Sequence, residues 1–380
     1  MKPLLRRAAL GAIVICVALG ISACAPPAPT PPTPAPPVSL PGIPVSPSAT
    51  PEPDPEPVAE PGSRPEPAAD IVCDDLTNPA ELDPLFTVAV DLAPPTRTFE
   101  YVGAAIARPW IVRQAGGVAC QWSDPNGMST SEGRYLAGMD LRLLPASGPQ
   151  WQEFSDTYGD GSDYVFVCDE YGCQYDRYTS TGWWLSLDAF DIDTLASPTP
   201  ASVRSLARPI FRAIVATVEA LPAPDPGWTA PVADFTFGGG CSGVITSARL
   251  ASVLGGSGSF DHENIGWPEL DSVGGSRCRW TRPSDFTLSI DITVLPGGAW
   301  AQEAAKAAML ENGGEVPSPS VTGVPHGSTA LYEHVDSLSL DIVLGGTWVK
   351  ISIASGAPIA GMTTKEALKA IAADIAAHAH

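Results

Sequence analysis

Hydrophobic and polar positions alternate in short runs within two regions of the chain, and these runs predict strands. In the first region the strands are expected at about residues 119–123, 136–144, 164–168 and 183–187. In the second region they are expected at about residues 278–281, 287–295, 337–344 and 348–353. Turn residues separate the runs, which is typical of antiparallel sheets with one face on a core.

Longer apolar stripes predict helices beside both groups of strands. Apolar positions that recur every three or four residues predict a helix at about residues 201–221, and similar stripes predict helices at about 248–254 and 300–310. Thr363 and Glu366 form a capping box that opens a last helix. The expected fold class is therefore α+β, with antiparallel sheets packed against helices.

A ten-residue motif occurs twice, at residues 116–125 and 274–283. Both copies place Gly-Gly, Cys-x-Trp, a hydroxyl residue and Pro at the same spacing, and each copy has an upstream cysteine, Cys73 or Cys241. Such a repeat indicates two copies of one domain. We therefore expect a first α+β domain at residues 71–221, a linker at 222–231 and a second α+β domain at 232–380.

The N-terminus has the pattern of a secretory signal peptide, predicted at residues 1–23. Three basic residues precede an apolar run at residues 8–19, which is short for a membrane-spanning helix. The Ile-Ser-Ala-Cys sequence that ends at Cys24 resembles the lipobox of bacterial lipoproteins. This resemblance implies cleavage before Cys24, acylation of its sulfur, and a protein anchored on the extracytoplasmic face of the cell membrane.

The segment at residues 24–70 combines the expected lipid anchor with a Pro-rich tether. Proline recurs every second or third residue there, interleaved with Ala, Thr, Ser and Glu. Such a composition buries no core and favours polyproline II conformations. We expect this tether to hold the folded domains away from the membrane, either across a wall layer or as a passive spacer.

Composition narrows the possible partners. With 44% hydrophobic residues the chain can form two ordinary domains, and its net charge of −21 argues against nucleic acid as a partner. An acidic protein is also repelled by anionic lipid surfaces. Attachment to the membrane is therefore expected to depend on the acyl group at Cys24.

Six cysteines remain after Cys16 in the signal peptide and Cys24 in the anchor. Because homologous domains should form homologous bridges, the repeat predicts that Cys73 pairs with Cys120 and Cys241 with Cys278. Cys168 and Cys173 are then left to pair with each other. Trp122 and Trp280, which follow Cys120 and Cys278, are expected in the core on the sheet face opposite these disulfides.

The Cys-x-Trp motif, with its upstream cysteine, the lipobox and the Pro-rich spacer, resembles an actinobacterial, mycobacterial-type family of surface lipoproteins of unknown function. The resemblance covers each folded domain. It implies small α+β domains, similar in outline to the extracellular sensor domains of some actinobacterial kinases. The duplication and the additional pair Cys168 and Cys173 depart from the family pattern.

The chain contains few patterns of known chemistry. Gly238, Gly240 and Gly243 have the spacing of a dinucleotide-binding loop, but this loop contains a disulfide cysteine and has no counterpart in the first copy. The five histidines all lie in the second copy without a hydrolase or zinc motif around them. We therefore expect no catalytic residues, no metal and no cofactor.

The two copies differ most around Cys168 and Cys173, where five of the chain's eight tyrosines gather. If the two cysteines pair across a hairpin with residues 169–172 as its loop, Phe166 lies opposite Tyr175. Glu170, Tyr171 and Tyr175 are the candidate binding residues, suited to a sugar ring or a protein surface. The alternative is a hairpin that is bridged only for stability.

These observations predict a lipid-anchored cell-envelope protein that binds or senses a wall glycan or a partner protein without catalysis. One alternative is an envelope hydrolase whose dispersed site the sequence does not reveal. A structural spacer is the other. An exposed apolar or aromatic patch would favour the binding protein, and a pocket with converging carboxylates would favour the hydrolase.

Overall fold

The computed structural model describes the chain in fifteen stretches. They are residues 64–93, 107–125, 137–145, 148–159, 164–192, 194–225, 241–256, 258–263, 268–282, 284, 287–311, 314–333, 337–354, 359 and 361–379. The predicted signal peptide, Cys24 and most of the tether lie outside these stretches. None of the helices in the described stretches is long and apolar enough to span a membrane.

The first domain begins with a short 3-10 helix at Cys73–Asp75. Its α-helices are α1 (Pro79–Leu82), α2 (Arg108–Gln114), α3 (Gly148–Tyr158) and α4 (Pro200–Glu219). Its strands are β1 (Asp91–Leu92), β2 (Val118–Ser123), β3 (Gly138–Pro145), β4 (Tyr164–Cys168), β5 (Gly172–Tyr178) and β6 (Trp183–Phe190).

The second domain repeats this plan. Its helices are α5 (Cys241–Val244), α6 (Ser247–Leu254), α7 (Pro268–Ser272), α8 (Ala299–Glu311) and α9 (Thr364–His378). Its strands are β7 (Ser259–Glu263), β8 (Ser276–Thr281), β9 (Ser289–Leu295), β10 (Thr329–Glu333), β11 (Ser337–Leu344) and β12 (Thr347–Ala354). The Thr363 side chain accepts a hydrogen bond from the Glu366 amide, so the predicted capping box opens α9.

The two sheets have the same topology. The first has the order β1-β2-β3-β6-β5-β4 and the second, read from the opposite edge, has the order β7-β8-β9-β12-β11-β10. Every neighbouring pair of strands is antiparallel. The predicted α+β class is confirmed, and each strand of the first sheet has one counterpart in the second.

The Gly-Gly pair of the repeat joins a helix to a strand in both domains. Gly116 and Gly274 adopt φ values of 74° and 64°, a backbone region that favours glycine. The next residues are Gly117 and Gly275. A Cβ on Gly117 would lie 2.3 Å from the Leu143 carbonyl oxygen, and a Cβ on Gly275 would lie 2.8 Å from the Val294 carbonyl oxygen. The motif is therefore a turn followed by a close approach between neighbouring strands.

The three predicted disulfides are present, and all of them lie on the sheet face that packs against the long helix of the same domain. Cys73 pairs with Cys120, Cys168 with Cys173, and Cys241 with Cys278. This face packs against α4 in the first domain and α9 in the second, forming two separate apolar cores. Trp122 and Trp280 are buried in these cores.

The predicted sheet face of the two tryptophans was wrong. Trp122 belongs to the same apolar core as Cys120, and Trp280 to the same core as Cys278. Side chains alternate between the two faces of a strand, so residues two positions apart share a face. A Cys-x-Trp motif on a strand therefore places the tryptophan beside the cysteine.

The opposite face of each sheet contributes to a third core that joins the domains. Trp110, Trp151 and Trp184 of the first domain belong to it together with Leu270 and Trp348 of the second. Helices α2 and α3 contact α7, and α2 also contacts α8. Each sheet is thus covered on both faces, once by its own long helix and once by the helices between the domains.

Candidate functional site

The tyrosine hairpin, formed by β4, β5 and the connecting residues 169–171, has the predicted geometry. Cys168 lies opposite Cys173 and Phe166 lies opposite Tyr175. The Cα atoms of the two cysteines are 4.1 Å apart. The disulfide therefore closes the hairpin immediately below its tip.

Hydrogen bonds of the backbone amides also hold the tip in place. Oδ1 of Asp169 accepts hydrogen bonds from the amides of Tyr171 at 2.7 Å and Gly172 at 2.8 Å. The Tyr171 carbonyl accepts a hydrogen bond from the amide of Ile192 at 2.9 Å. A Cβ on Gly172 would lie 2.3 Å from the Ala189 carbonyl oxygen, so only glycine allows β6 to approach this closely.

The structure separates the three candidate binding residues. Tyr171 is 61% exposed and Glu170 is also exposed, both at the tip. Tyr175 is only 7% exposed because it packs between Phe166 and Phe211, at centroid distances of 5.5 and 6.0 Å. Its assignment to a binding surface was wrong, since period-two alternation points it into the α4 core.

Val167 takes the place of Tyr175 on this surface. It is 59% exposed, and it lies on the sheet face that points away from the disulfide. Sequence reasoning missed it because an apolar residue in a strand is usually expected in a core. We call the three exposed residues of this hairpin, Glu170, Tyr171 and Val167, the hairpin surface.

A cluster of polar residues lies on the same sheet face as Val167, nearer the centre of the first sheet. Its members are Asp140, Arg142, Asp176, Ser186 and Asp188. Nη2 of Arg142 donates to Asp188 Oδ2 and to Ser186 Oγ, both at 2.6 Å. Nε1 of Trp184 donates to Asp176 Oδ1 at 3.3 Å.

The three carboxylates of this cluster all interact electrostatically with the guanidinium of Arg142. Removal from water raises the pKa of Asp140 to about 7 despite the opposing charge of Arg142, and the charge of Asp188 adds to the rise. Burial and the charge of Asp188 raise the pKa of Asp176 to about 6. Burial lowers the pKa of the Arg142 guanidinium, but the surrounding carboxylates outweigh this effect and raise the pKa overall.

The second sheet contains a buried counterpart of this cluster. Nζ of Lys350 donates to Asp341 Oδ1 and to Ser339 Oγ, both at 3.0 Å. The lysine and the aspartate are each 1% exposed. Removal from water raises the pKa of Asp341 against the opposing effect of Lys350. In register, Asp341 matches Asp176, so both domains bury an aspartate and a cation on the face between them.

Among the described residues, Arg108 and Gln114 form hydrogen bonds that cross between the domains. Nε of Arg108 donates to Glu269 Oε1 at 2.5 Å. Nε2 of Gln114 donates to the Pro296 carbonyl at 3.1 Å, and its Oε1 accepts from Nε1 of Trp300. Glu269 also raises the pKa of Arg142, so the first domain's charged cluster lies within electrostatic reach of the second domain.

Two carboxyl groups that face each other are an arrangement used in general acid and base catalysis. Asp140 lies directly opposite Asp188 in the sheet, and the Asp188 side chain is 31% exposed. The sequence carried a signal for this pair, because charged residues alternate with apolar ones along β3. A cavity of about 80 Å³ in the described stretches lies away from this pair, against Pro319, Val321 and His326.

The glycine motif of the second domain falls mostly outside the residues that the structure describes. Gly238 and Gly240 lie outside the described residues, and Gly243 belongs to the short helix α5. In the stretches that the structure describes, no group of three or more His, Cys, Asp and Glu residues is arranged to hold a metal ion.

No protein family matches the chain, and neither the curated proteins nor the solved structures contain a significant match to it.

Proposed function

We propose that this chain is a lipid-anchored cell-envelope protein that binds a partner through the hairpin surface of its first domain. The lipid anchor at Cys24 and the Pro-rich tether would hold the two sheet domains outside the membrane. The second domain would support the first through the core that they share. No chemical step is part of this function.

The observation that carries the proposal is the exposure of apolar and aromatic groups on a rigid tip. Tyr171 and Val167 are among the most exposed large apolar residues of the described stretches. Exposed apolar groups that are held in one conformation mark interaction surfaces, because little ordering entropy remains to be lost on binding. Tyrosine also contributes a large contact area with few rotatable bonds.

The negative charge of the tip and of the chain indicates which chemical group the partner presents. Glu170 lies beside Tyr171 at the tip, and the whole chain carries a net charge of −21. An acidic protein attracts cationic surfaces and repels anionic ones. The tip is therefore expected to contact a cationic group, on either a protein or an amino sugar.

Anchorage is tested by Cys24→Ser, which removes the thiol that would be acylated. The protein should move from the membrane fraction to the medium, because a hydrophobic anchor is lost. Retention of the variant in the membrane fraction would contradict the anchor.

The binding surface is tested by photo-crosslinking in intact cells. A crosslinking amino acid at position 171 should yield a discrete adduct, while the same amino acid at position 310 should yield none. Leu310 is a suitable control because it is 53% exposed on α8 of the second domain. Equal crosslinking at both positions would show that the tip has no special partner.

An envelope hydrolase is the second candidate, and the opposed carboxyls of Asp140 and Asp188 are the observation that favours it. Asp140→Asn should abolish any cleavage of envelope polymers by the purified protein, because the variant cannot exchange the proton. Asp91→Asn, which changes an exposed carboxyl on β1, is the control.

A further inference from the structure

The outer edge of β10 is covered by the chain that precedes it. The Leu331 amide donates to the Pro317 carbonyl at 2.8 Å, and Oγ1 of Thr329 donates to the Pro319 carbonyl at 2.8 Å. Residue numbers rise along one partner and fall along the other, so the segment runs antiparallel to β10. The edge of the second sheet thus holds an extended, proline-containing segment.

The first sheet has an equivalent edge at β4. One row of paired residues crosses the first sheet through Phe166, Tyr175, Leu187, Leu141 and Cys120. The matching row of the second sheet runs through Leu331, Leu340, Ile351, Ile292 and Cys278. Phe166 therefore occupies the position of Leu331, whose amide holds the covering segment.

In the described stretches of the first domain, no segment makes the contacts that cover this edge in the second domain. In the second domain, residues 312–328 connect α8 to β10, and the covering contacts come from this connection. In the first domain, residues 159–163 alone connect α3 to β4. Five residues cannot both join these elements and run back along β4 as an extra strand.

The Phe166 amide points outward from the sheet. Asp169 donates its amide to the Gly172 carbonyl at 3.1 Å, and the next pair, Cys168 and Cys173, has the short Cα separation of a pair without mutual hydrogen bonds. Such pairs alternate along a ladder, so Phe166 and Tyr175 form another pair of this kind. In the described stretches no backbone carbonyl accepts a hydrogen bond from the Phe166 amide.

Side chains around this edge indicate the charge of its ligand. The guanidinium groups of Arg204 and Arg208 on α4 lie 4.6 and 5.9 Å from the centre of the Phe166 ring. Neither arginine forms an ion pair with another described residue. A carboxylate on the bound segment would complement them.

We propose that the edge of β4 binds an extended, proline-containing peptide segment of a partner protein that carries a carboxylate. The segment lies along β4 as residues 317–319 lie along β10, and its carbonyl accepts the Phe166 amide proton. This is recognition by strand addition, in which main-chain hydrogen bonds hold an extended peptide. The inference rests on the proposed function, because the edge adjoins the hairpin surface. It identifies the partner of that surface as a polypeptide.

The test uses the full chain with Cys24→Ser, which keeps the protein soluble, and a synthetic peptide copied from residues 315–322. Amide hydrogen exchange is followed at Phe166 and Leu331. At a peptide concentration ten times its dissociation constant, exchange at Phe166 should slow by about tenfold. Leu331 should be protected with or without peptide, because its own segment already covers it. Exchange at Phe166 that is unaffected by the peptide, or already slow without it, would overturn the proposal.

A chimera provides the second test. Replacing residues 159–163 with a copy of residues 312–328 should cover the β4 edge from within the chain. Its Phe166 amide should then be protected without peptide, and the added peptide should no longer bind. A chimera with a protected Phe166 amide that binds the peptide as tightly as the parent would contradict strand addition at this edge.

The peptide experiment and the crosslinking experiment can fail independently. Protection at Phe166 without a specific adduct at position 171 would leave the edge as a peptide site and remove the tip from the function. A specific adduct without protection at Phe166 would preserve the proposed binding surface and overturn the edge.

Discussion

The two adjacent glycines of each repeat are required for different reasons. Gly116 needs a positive φ, whereas Gly117 is required because its Cα lies against the carbonyl of Leu143 on the next strand. Sequence reasoning recognised the pair as a repeat marker. The second requirement depends on the approach of two strands, which becomes visible only in the folded sheet.

Gly117→Ala is expected to destabilise the protein by about 2 kcal/mol or more, because its Cβ would collide with backbone that cannot move without disturbing β2 and β3. Gly256→Ala is the matched control, since a Cβ there meets no atom within 4 Å. Urea denaturation measures both variants. Equal stability of the two would show that the strand approach is not as close as described.

Asp140 makes stability depend on pH. Its pKa is raised to about 7 in the folded protein, whereas the unfolded chain releases this proton near the ordinary value of 3.8. Between these pH values the folded state keeps a proton that the unfolded state loses, so this group lowers stability as pH rises from about 4 to 7. Below that window the two states are both protonated and the effect vanishes.

Asp140→Asn should remove this pH dependence. Relative to the parent, the free energy of unfolding of the variant should rise between pH 4 and pH 7, by about 1–2 kcal/mol after screening at a half-buried site. Urea denaturation at several pH values gives the difference. A difference that stays constant across this range would contradict the raised pKa.

At the scale of elements, strands and helices with a clear apolar pattern were predictable. The strands at residues 164–168 and 337–344 were predicted to the residue, and the helix predicted at about 201–221 forms as Pro200–Glu219. Helix α2 was missed because Trp110, Ile111, Val112 and Gln114 are all buried between the domains, which removes the polar face that reveals a helix. Strand β10 was missed for a related reason, as its residues are almost all buried.

The hairpin surface was predictable only in part. The tip residues follow from the spacing of Cys168 and Cys173, and the structure confirms the pairing and the register. The charged cluster around Arg142 was not predicted, because its members come from three strands whose order the sequence does not reveal. The covering segment of β10 likewise depends on contacts between distant positions.

The short disulfide should matter more for the tip than for the whole domain. Replacing Cys168 and Cys173 by serine should lower the free energy of unfolding by about 2 kcal/mol through the chain entropy of the small loop. Amides at Glu170 and Tyr171 should exchange faster, because the tip is no longer held. Unchanged exchange there would show that the Asp169 hydrogen bonds alone fix the tip.

At the scale of the whole molecule, the two sheet domains share a core and so should unfold together. Trp300 belongs to this shared region through its hydrogen bond to Gln114 and its edge-on contact with Trp110, at a centroid distance of 6.1 Å. An interface of this apolar kind couples the stabilities of its two sides. The duplication predicted two domains, but it did not predict that they pack against each other.

Trp300→Ala should destabilise both domains at once, by about 2–3 kcal/mol for a partly exposed tryptophan. The parent should show one unfolding transition in calorimetry, and the variant should show a lower or divided transition. Leu310→Ala on the same helix is the control and should change stability by less than about 0.5 kcal/mol. A parent that unfolds in two independent steps would contradict the shared core.

The most direct measurement of the central claim is the affinity of the Cys24→Ser chain for isolated cell envelopes of the native host. If the hairpin surface binds the partner, Tyr171→Ala and Glu170→Ala should each raise the dissociation constant by about tenfold or more, and Leu310→Ala should leave it unchanged. All three variants should keep the stability of the parent. Parent affinity in both tip variants, with the fold intact, would contradict a partner-binding role for the hairpin.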